Sequence, residues 1–407
     1  MKNSQRIEGM DFNLTEKQKN IQSIARKFSY EEIAPVALER DKISDWEKRM
    51  PWDLTEKASK LGLRQLPYPE KYGGLNGDVV SCCLAGEELA VGDLGFAVNL
   101  DQTWKLAHIL EKVDPHVRDP WLKKLCEEPR FLAAIPMTEP DCGSDHQGYY
   151  DDVSIALNTF AHKKNGKWII NGQKRYISNG PVASLYVVAA RTDKNKNLRE
   201  GLSGFLVPRE TKGISIGEVN EKIGQRLSMN SEIFFNNVEI PEDHIILGEG
   251  SMFEIRGNLL SMGKPEAAAT ALGVGRAAFE HALSHAQERV QGGKVIGKHQ
   301  AIEMMLADMA MNLDIARNYI LKTAWAVDNQ KPYDYTQGWK CKIFASEAAF
   351  ECARLGVEIF GGAGIMQSSP MEKYLRDAST FLHSDGTNQL LRLRIGKTYF
   401  ENLVSRF

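Results

Sequence analysis

The sequence predicts an α+β protein of three parts, because its hydrophobic pattern changes twice along 407 residues. From Leu14 to about Glu128 apolar residues recur at every third or fourth position, which is the period of a helix. Between Phe131 and about Gly250 short β-type runs follow one another across Asn-Gly and Gly-rich turns. From Ser251 onward the helical period returns over long stretches. The predicted parts are an α-helical N-terminal domain (11–131), a β domain (132–250) and a C-terminal helical bundle (251–407).

Local signals support each part in turn. Thr15 and the acidic residues after it suit a helix start, and Pro51 and Pro67 mark breaks between helices of the first part. The runs of the second part, such as SLYVVAARTD and GLSGFLVP, do not alternate with helices, which favours an antiparallel barrel or a sandwich. Three or four long helices with short connections make the third part a bundle.

Composition and charge exclude several classes of protein. The chain has 51 basic and 53 acidic residues and no basic run, so we expect no nucleic-acid partner. Its six cysteines show no metal-ligand spacing, so we expect reduced thiols and no metal site. No stretch is apolar enough to span a membrane, which predicts a cytoplasmic protein. The amphipathic pattern begins only after Met10, so the polar start, MKNSQRIEG, is interpreted as a leader outside the first domain.

The most informative segment is IPMTEPDCGSD, residues 135–145, at the junction of the first and second parts. Its glycine lets a backbone approach a flat or charged ligand, and Thr138 and Ser144 can donate hydrogen bonds to it. Taken alone, the segment also fits an ordinary turn.

The segment resembles the TEPxxGSD signature of the acyl-CoA dehydrogenases, and the resemblance covers the chain from Asp11 to its end. NGQKRYISNG follows at the expected distance, and VEIFGGAGIMQSSPMEKYLRDA and HSDGTNQLLRLRIG come later in family order. This resemblance implies a helical N-terminal domain, a middle antiparallel β-barrel and a C-terminal four-helix bundle. It also implies FAD as cofactor and an acyl-CoA thioester as substrate.

The resemblance assigns flavin-contacting roles within these motifs. Met137 and Thr138 would hold the flavin ring, Ser178 would lie near its redox-active edge, and Gly143 and Ser144 would lie between flavin and CoA. Tyr176 stands where the family has a tryptophan, which keeps a flat stacking surface. Further cofactor positions are Gln300, Glu358, Thr387 and Gln389.

Another set of residues resembles the part of the family's site that binds the FAD of a neighbouring subunit. Arg289 and Gln291 match its pyrophosphate-binding pair, and Gly361, Gly362 and Gly364 match the glycines that approach the dinucleotide. A homotetramer is therefore implied. The alternative for Arg289 is a solvated charge, and the alternative for the glycines is a helix C-cap after Phe360.

Removal of an α-proton from an acyl thioester needs a carboxylate base. Most relatives place a glutamate in an EGT tripeptide, and this chain has Asp385 at that position, with an arm one methylene shorter. We expect the base to be nearly dry, with its pKa raised by burial. Other relatives carry the base on the helix that begins near Leu259, where this chain has Gly263, so the alternative position is closed.

Further departures from the family concern the substrate. Ser384 replaces a bulky tyrosine, which should widen the pocket beside the base, and Gly292 replaces a phenylalanine near the cofactor. Lys264 stands where an arginine is usual near CoA, and Gly386 follows the base as a further substrate contact. These exchanges favour a broader acyl group than a straight chain.

Asp101 matches the floor of the acyl pocket. It could cap a helix beside Asn99. Alternatively, it could face Asp385 across the flavin and take a second proton. The second interpretation favours a cyclic thioester, cyclohexane-carboxyl-CoA or cyclohex-1-ene-1-carboxyl-CoA, of the kind met in anaerobic aromatic degradation. In the latter, loss of a γ-proton to Asp101 would give a 1,4-elimination to a conjugated diene.

Several activities stay open at this point. The principal hypothesis is a dehydrogenase that passes electrons to an electron-transferring flavoprotein. An acyl-CoA oxidase and a short- or branched-chain dehydrogenase are alternatives among enzymes. A flavin- or acyl-CoA-binding protein without catalysis is the alternative of another class.

Overall fold

The fold is described from a computed structural model, which covers residues 13–147, 153–155, 157–255, 260–330 and 332–404. The polar leader lies outside these residues. Within them, no helix combines the length and the apolar character that crossing a membrane requires.

The first part is helical, as the sequence predicts. Its first helix begins with a capping box, in which Thr15 Oγ1 accepts from the Gln18 amide and Gln18 Oε1 accepts from the Thr15 amide. The helices are α1 (Glu16–Phe28), a π-helical turn (Ser29–Ile33), α2 (Ala34–Asp41), α3 (Trp46–Arg49), α4 (Trp52–Lys60), a 3₁₀ turn (Glu70–Tyr72), α5 (Val79–Gly92), α6 (Leu94–Trp104), α7 (Leu106–Leu110) and α8 (Pro115–Glu127).

The second part is a single large sheet. Its strands are β1 (Ala133–Ala134), β2 (Phe160–Lys164), β3 (Lys167–Ser178), β4 (Leu185–Arg191), β5 (Leu202–Pro208), β6 (Ile214–Asn220), β7 (Asn230–Pro241) and β8 (Ile245–Ile246), with 3₁₀ turns at Ser144–Gln147 and Glu242–His244. The strand order is β6-β7-β3-β2-β4-β5-β8, and β1 pairs with β4.

The sheet differs from the predicted antiparallel barrel in two respects. Most pairs are antiparallel, but β4 runs parallel to β1 and to β2, so the sheet is mixed. In the described residues, β6 and β8 end the sheet without pairing to each other. The described strands thus form an open sheet, and its closure into a barrel stays a prediction.

The third part is again helical. Its elements are α9 (Met252–Glu254), α10 (Leu260–Met262), α11 (Lys264–Glu288), β9 (Val290–Gln291), β10 (Lys294–Val295), a 3₁₀ turn (Ile296–Lys298), α12 (Gln300–Asn329), α13 (Thr336–Phe360), a 3₁₀ helix (Gly361–Ile365), α14 (Pro370–Phe381) and α15 (Asn388–Val404). Gly292, at the turn between β9 and β10, has φ +58°, which suits a residue without a Cβ.

The first and third parts share one hydrophobic core. Every residue of α5 is buried, and the helix packs against both α1 and α11. Alanines fill the buried face of α11, including Ala267, Ala271 and Ala278, and let the helices approach closely. This packing fixes the end of α6, the start of α11 and the loop between α14 and α15 next to one another.

Candidate active site

A cavity of about 800 Å³ lies where the three parts meet. This volume is in the range of small-molecule sites. The first part contributes Val98, Gln102 and Lys105, and the segment after β1 contributes Ile135 among others. The other walls come from the end of β3, the residues between β6 and β7, the start of α11 and the loop after α14.

The structure brings together most of the residues that the sequence predicted for flavin and substrate. The predicted residues on the cavity wall are Met137, Thr138, Gly143, Ser144, Tyr176, Ser178, Lys264, Ser384, Asp385, Gly386 and Thr387. They come from four separate stretches of chain. The hydroxyl oxygens of Ser144 and Thr387, which are 243 positions apart, approach within 3.4 Å.

A second predicted set lies away from this wall. Arg289, Gln291, Gln300, Glu358, Gly361, Gly362 and Gln389 are exposed on the third part, whereas Gly364 is buried. Arg289 donates to Gln291 Oε1 at 3.0 Å, as a local pair. Gly361 is the C-cap of α13 with φ +59°, so the helix-cap alternative describes its backbone.

The segment that carries Met137 and Thr138 is held by a buried ion pair that the sequence did not predict. Lys174 Nζ donates to Glu139 Oε1 at 2.8 Å and to the Met137 carbonyl at 3.0 Å. Glu139 also accepts from the Thr159 amide. Both side chains are almost fully buried, and such a pair fixes geometry more than it stabilises.

Tyr176 is presented to the cavity by an irregularity in β3. The register between β3 and β7 shifts between Lys174 and Ile177, and Tyr176 has φ +61°. A bulge of this kind re-aims a side chain. The ring is 54 % exposed, and the Arg175 guanidinium lies 4.9 Å from its centroid.

The loop that carries Asp385 is tightly held. Asp385 and Gly386 have φ +55° and +87°, a region that aspartate and glycine tolerate better than most residues. Lys342, from α13, donates to the carbonyls of Phe381 and Gly386 at 2.7 and 3.0 Å and to Asn388 Oδ1 at 2.8 Å. Burial lowers the pKa of Lys342 to about 7.

The carboxylate of Asp385 is bound by two ammonium groups. Lys105 Nζ donates to its Oδ2 at 2.9 Å, and Lys264 Nζ lies 3.4 Å from its Oδ1 and 2.6 Å from its main-chain oxygen. Burial would raise the pKa of Asp385, but Lys105 and Lys264 outweigh it and hold the pKa well below its ordinary value. The expectation of a raised pKa is therefore wrong for this state of the protein.

Asp101 does not cap a helix, which was one of the two alternatives for it. It lies inside α6, which is capped by Asp93 instead, and it is fully buried. Its Oδ2 accepts from Lys105 Nζ at 2.6 Å, and it is not part of the cavity wall. Lys105 thus lies between Asp101 and Asp385 and contacts both, and a role of Asp101 as a second base stays a prediction. Burial raises the pKa of Asp101 to about 7, although Lys105 opposes this shift.

Three family models match the chain in order. They describe the N-terminal domain (residues 15–129), the middle domain (residues 134–238) and the C-terminal domain (residues 253–400) of acyl-CoA dehydrogenase. The chain belongs to the acyl-CoA dehydrogenase family. Members of this family are FAD-dependent oxidoreductases that act on a CH–CH bond.

Relatives and solved structures match this acyl-CoA dehydrogenase along almost its whole length. The cyclohex-1-ene-1-carbonyl-CoA dehydrogenase of Geobacter metallireducens is 35% identical over 385 residues, covering 94% of this chain and 98% of its own. A structure of butyryl-CoA dehydrogenase from Megasphaera elsdenii has a TM-score of 0.88 at 33% identity, covering 96% and 100%. A structure of the electron transferring flavoprotein of Acidaminococcus fermentans has a TM-score of 0.88 at 34% identity, covering 96% and 99%.

The cavity of this acyl-CoA dehydrogenase fits a flavin ring chemically. Ile135 and Met137 supply apolar surface, and the hydroxyls of Thr138 and Ser178 can pair with the ring's polar edge. A Cβ added at Gly143 would meet no atom of the described residues within 4 Å, so these residues leave space for a ligand beside that backbone. Among the described residues, no group of three potential metal ligands is present.

Sequence reasoning missed Lys105, Lys342, Lys174 and Lys222 at this site. Lys222 lines the cavity, donates to Asn230 Oδ1 at 2.7 Å, and has its pKa lowered to about 7 by burial. Signals existed for Lys105, which is four residues from Asp101 on a predicted helix and therefore shares its face, and for Lys174, which lies in the motif NGQKRYISNG. The other lysines come from segments whose spacing carries no such signal.

Gly263 has a structural use that its place in the family pattern does not reveal. It is the N-cap of α11, and a Cβ there would lie 2.9 Å from Lys105 Cγ. The missing side chain therefore makes room for the lysine. Leu259, at which the family's alternative helix was expected to begin, lies outside the described residues.

Proposed function

We propose that this protein is an FAD-dependent dehydrogenase of a cyclic acyl-CoA thioester, in which Asp385 removes the proton. The observation that carries the proposal is the position of Asp385, on the wall of the cavity that also collects the predicted flavin-binding and substrate-binding residues. When bound there, FAD would accept the hydride, which would leave the β-carbon of cyclohexane-carboxyl-CoA or, in the 1,4-elimination of cyclohex-1-ene-1-carboxyl-CoA, the carbon at the other end of the four-carbon unit from the proton.

The proton acceptor is chosen by exclusion as well as by position. Among carboxylates of the described residues, only Asp385 lies on the cavity wall, since Asp101 is behind Lys105. Gly263 offers no carboxylate at the other family position. Before Asp385 can act, at least one of its two ammonium contacts must weaken, because an ion pair stabilises the charged form and makes the carboxylate a poor base.

A cyclic substrate is supported by the space beside the base. Ser384 presents a small side chain next to Asp385, where the family pattern has a bulky tyrosine. The similarity to the cyclohex-1-ene-1-carbonyl-CoA dehydrogenase also supports this branch of the family. A butyryl-CoA dehydrogenase is also similar, with 33% identity and a TM-score of 0.88, so short linear thioesters are the main competing substrates.

The exposed second set of predicted residues supports a shared cofactor site. Arg289 and Gln291 lie outside the cavity wall, and no atom of the part of the chain that the structure describes lies within 4 Å of a Cβ added at Gly361 or Gly362. A guanidinium there suits a pyrophosphate. We propose that they bind the FAD of a second copy in a homotetramer, and that an electron-transferring flavoprotein accepts the electrons.

The test is anaerobic bleaching of the bound FAD by butyryl-CoA, isobutyryl-CoA, cyclohexane-carboxyl-CoA and cyclohex-1-ene-1-carboxyl-CoA. We expect one of the two cyclic thioesters to bleach the flavin fastest and Asp385→Asn to abolish bleaching. Fastest bleaching by butyryl-CoA would refute the cyclic substrate. Rapid reoxidation by oxygen would indicate an oxidase, and no bleaching by any thioester would indicate a binding protein.

A further inference from the structure

One ammonium group, that of Lys105, serves two carboxylates in the interior of the protein. Its side chain is 3 % exposed, and Nζ lies 2.6 Å from Asp101 Oδ2 and 2.9 Å from Asp385 Oδ2. An ammonium this close keeps a carboxylate charged and lowers its tendency to take a proton. Lys105 therefore opposes the proton transfer to Asp385 that the proposed function requires.

Asp385 does not depend on Lys105 for a counter-ion. Lys264, the first residue of α11, contacts both its carboxylate and its main-chain oxygen. The carboxylates of Asp101 and Asp385 are thus in contact with the ammonium groups of Lys105 and Lys264. Lys342 also binds the loop that carries Asp385, through the Gly386 carbonyl. The charges still balance when Lys105 binds Asp101 alone and Lys264 binds Asp385.

Asp101 can accept a second hydrogen bond from Lys105. Its Oδ1 is buried and has no hydrogen-bond partner among the described residues. A buried acceptor without a donor costs free energy, so a second bond from the ammonium would be favourable. Gly263 lies beside the aliphatic stem of Lys105, and a Cβ at this position would lie 2.9 Å from Lys105 Cγ. The glycine therefore leaves space for the stem to move.

We propose that Lys105 is a positioning residue that sets the basicity of Asp385, and that Asp101 is its alternative acceptor. When a thioester fills the cavity, Lys105 leaves Asp385 and binds both oxygens of Asp101. Asp385 then takes the proton from the substrate carbon. Asp101 receives an ammonium group and never the substrate's proton, which distinguishes this role from that of a second base.

This inference rests on the proposed function, because it takes Asp385 as the base. The experiment therefore measures proton abstraction separately from flavin reduction. An arylacetyl-CoA that the wild-type protein accepts has α-hydrogens but no β-hydrogen, so its exchange in D₂O, followed by mass spectrometry, reports the base alone. The variants are Asp101→Asn, Lys105→Met and the double variant, each checked for flavin content and melting temperature.

We expect Asp101→Asn to slow exchange at least about tenfold, because the amide is uncharged and Asp385 is then the only carboxylate in contact with Lys105. Lys105→Met should exchange faster than Asp101→Asn, because it lacks the ammonium that opposes proton transfer to Asp385, and the double variant should recover the rate of Lys105→Met. Recovery by a second substitution would not follow from a merely structural role of Asp101.

Two results would overturn the inference while leaving the proposed function intact. One is a double variant as slow as Asp101→Asn, which would make Asp101 itself a base. The other is an Asp101→Asn variant that exchanges as fast as wild type. A wild-type protein that neither bleaches with any thioester nor exchanges α-hydrogens would overturn both proposals together.

Discussion

Lys105 Nζ lies 2.6 Å from Oδ2 of Asp101 and 2.9 Å from Oδ2 of Asp385, so one ammonium joins α6 to the loop before α15. The two carboxylates raise the pKa of Lys105 above its ordinary value, although burial lowers it. Lys105 is thus held as a cation in a nearly dry site. The contact couples the helical N-terminal part to the loop that carries the proposed base.

Gly263→Ala should disturb this contact directly. The glycine has an ordinary φ, so alanine adds no backbone strain, but its Cβ would lie 2.9 Å from Lys105 Cγ and 3.5 Å from Glu266 Oε2. We expect the free energy of unfolding to fall by about 1–3 kcal/mol, as for other overpacked sites. Denaturant titration measures this loss.

Gly396→Ala is the matched control for that substitution. Gly396 lies within α15, and no atom lies within 4 Å of its added Cβ. Alanine in an open helical position should stabilise by up to about 1 kcal/mol. Equal effects of the two alanines would show that the space at Gly263 does not matter.

Asp101 should make stability depend on pH. The pKa of Asp101 rises from 3.8 to about 7 on folding. Its contribution to the free energy of unfolding is therefore fully present below about pH 4 and is lost as the pH rises through 7. Over this window wild type should lose a few kcal/mol that Asp101→Asn does not lose. Melting temperatures of both proteins between pH 4 and 8 measure the difference. Parallel curves would contradict the raised pKa.

Lys342→Met should loosen the loop that carries Asp385. The substitution removes the lysine donor from two buried acceptors, the Phe381 carbonyl and Asn388 Oδ1, and from the partly buried Gly386 carbonyl. We expect a loss of about 2–4 kcal/mol in unfolding free energy together with slower flavin reduction. Lys340→Met, on the same helix, is the control, since its ammonium contacts an exposed tyrosine hydroxyl, that of Tyr399. A similar loss in both variants would indicate a general effect on α13.

Ser384 should control which acyl group fits. Ser384→Tyr would fill the space beside Asp385, so we expect the ratio of flavin reduction rates with the best cyclic thioester and butyryl-CoA to fall at least about tenfold. Ser384→Ala should leave the ratio unchanged, because Ser384 Oγ is buried without a hydrogen-bond partner among the described residues. Stopped-flow absorbance at the flavin band measures both rates. An unchanged ratio in the tyrosine variant would exclude this position as a determinant.

The sequence by itself determined the order of the three parts. The helical period of 3.6 residues and the succession of short β-type runs are local patterns, which do not depend on tertiary contacts. Its motifs also indicated eleven of the residues on the cavity wall, from Met137 to Thr387. The mixed sheet was not predicted, because the pairing of β4 with β1 and β2 joins strands whose direction no local pattern encodes.

Only the tertiary structure decided the charge state of the proposed base. Asp385 is bound by Lys105 and Lys264, which lie 280 and 121 positions away in the chain. Desolvation could be anticipated from the residue type, but the ammonium groups that outweigh it could not, because a Coulomb interaction depends on distances that only packing sets. The same holds for Asp101, which the sequence allowed as a pocket residue. It is buried and bound to Lys105, which lies one helical turn later in the chain.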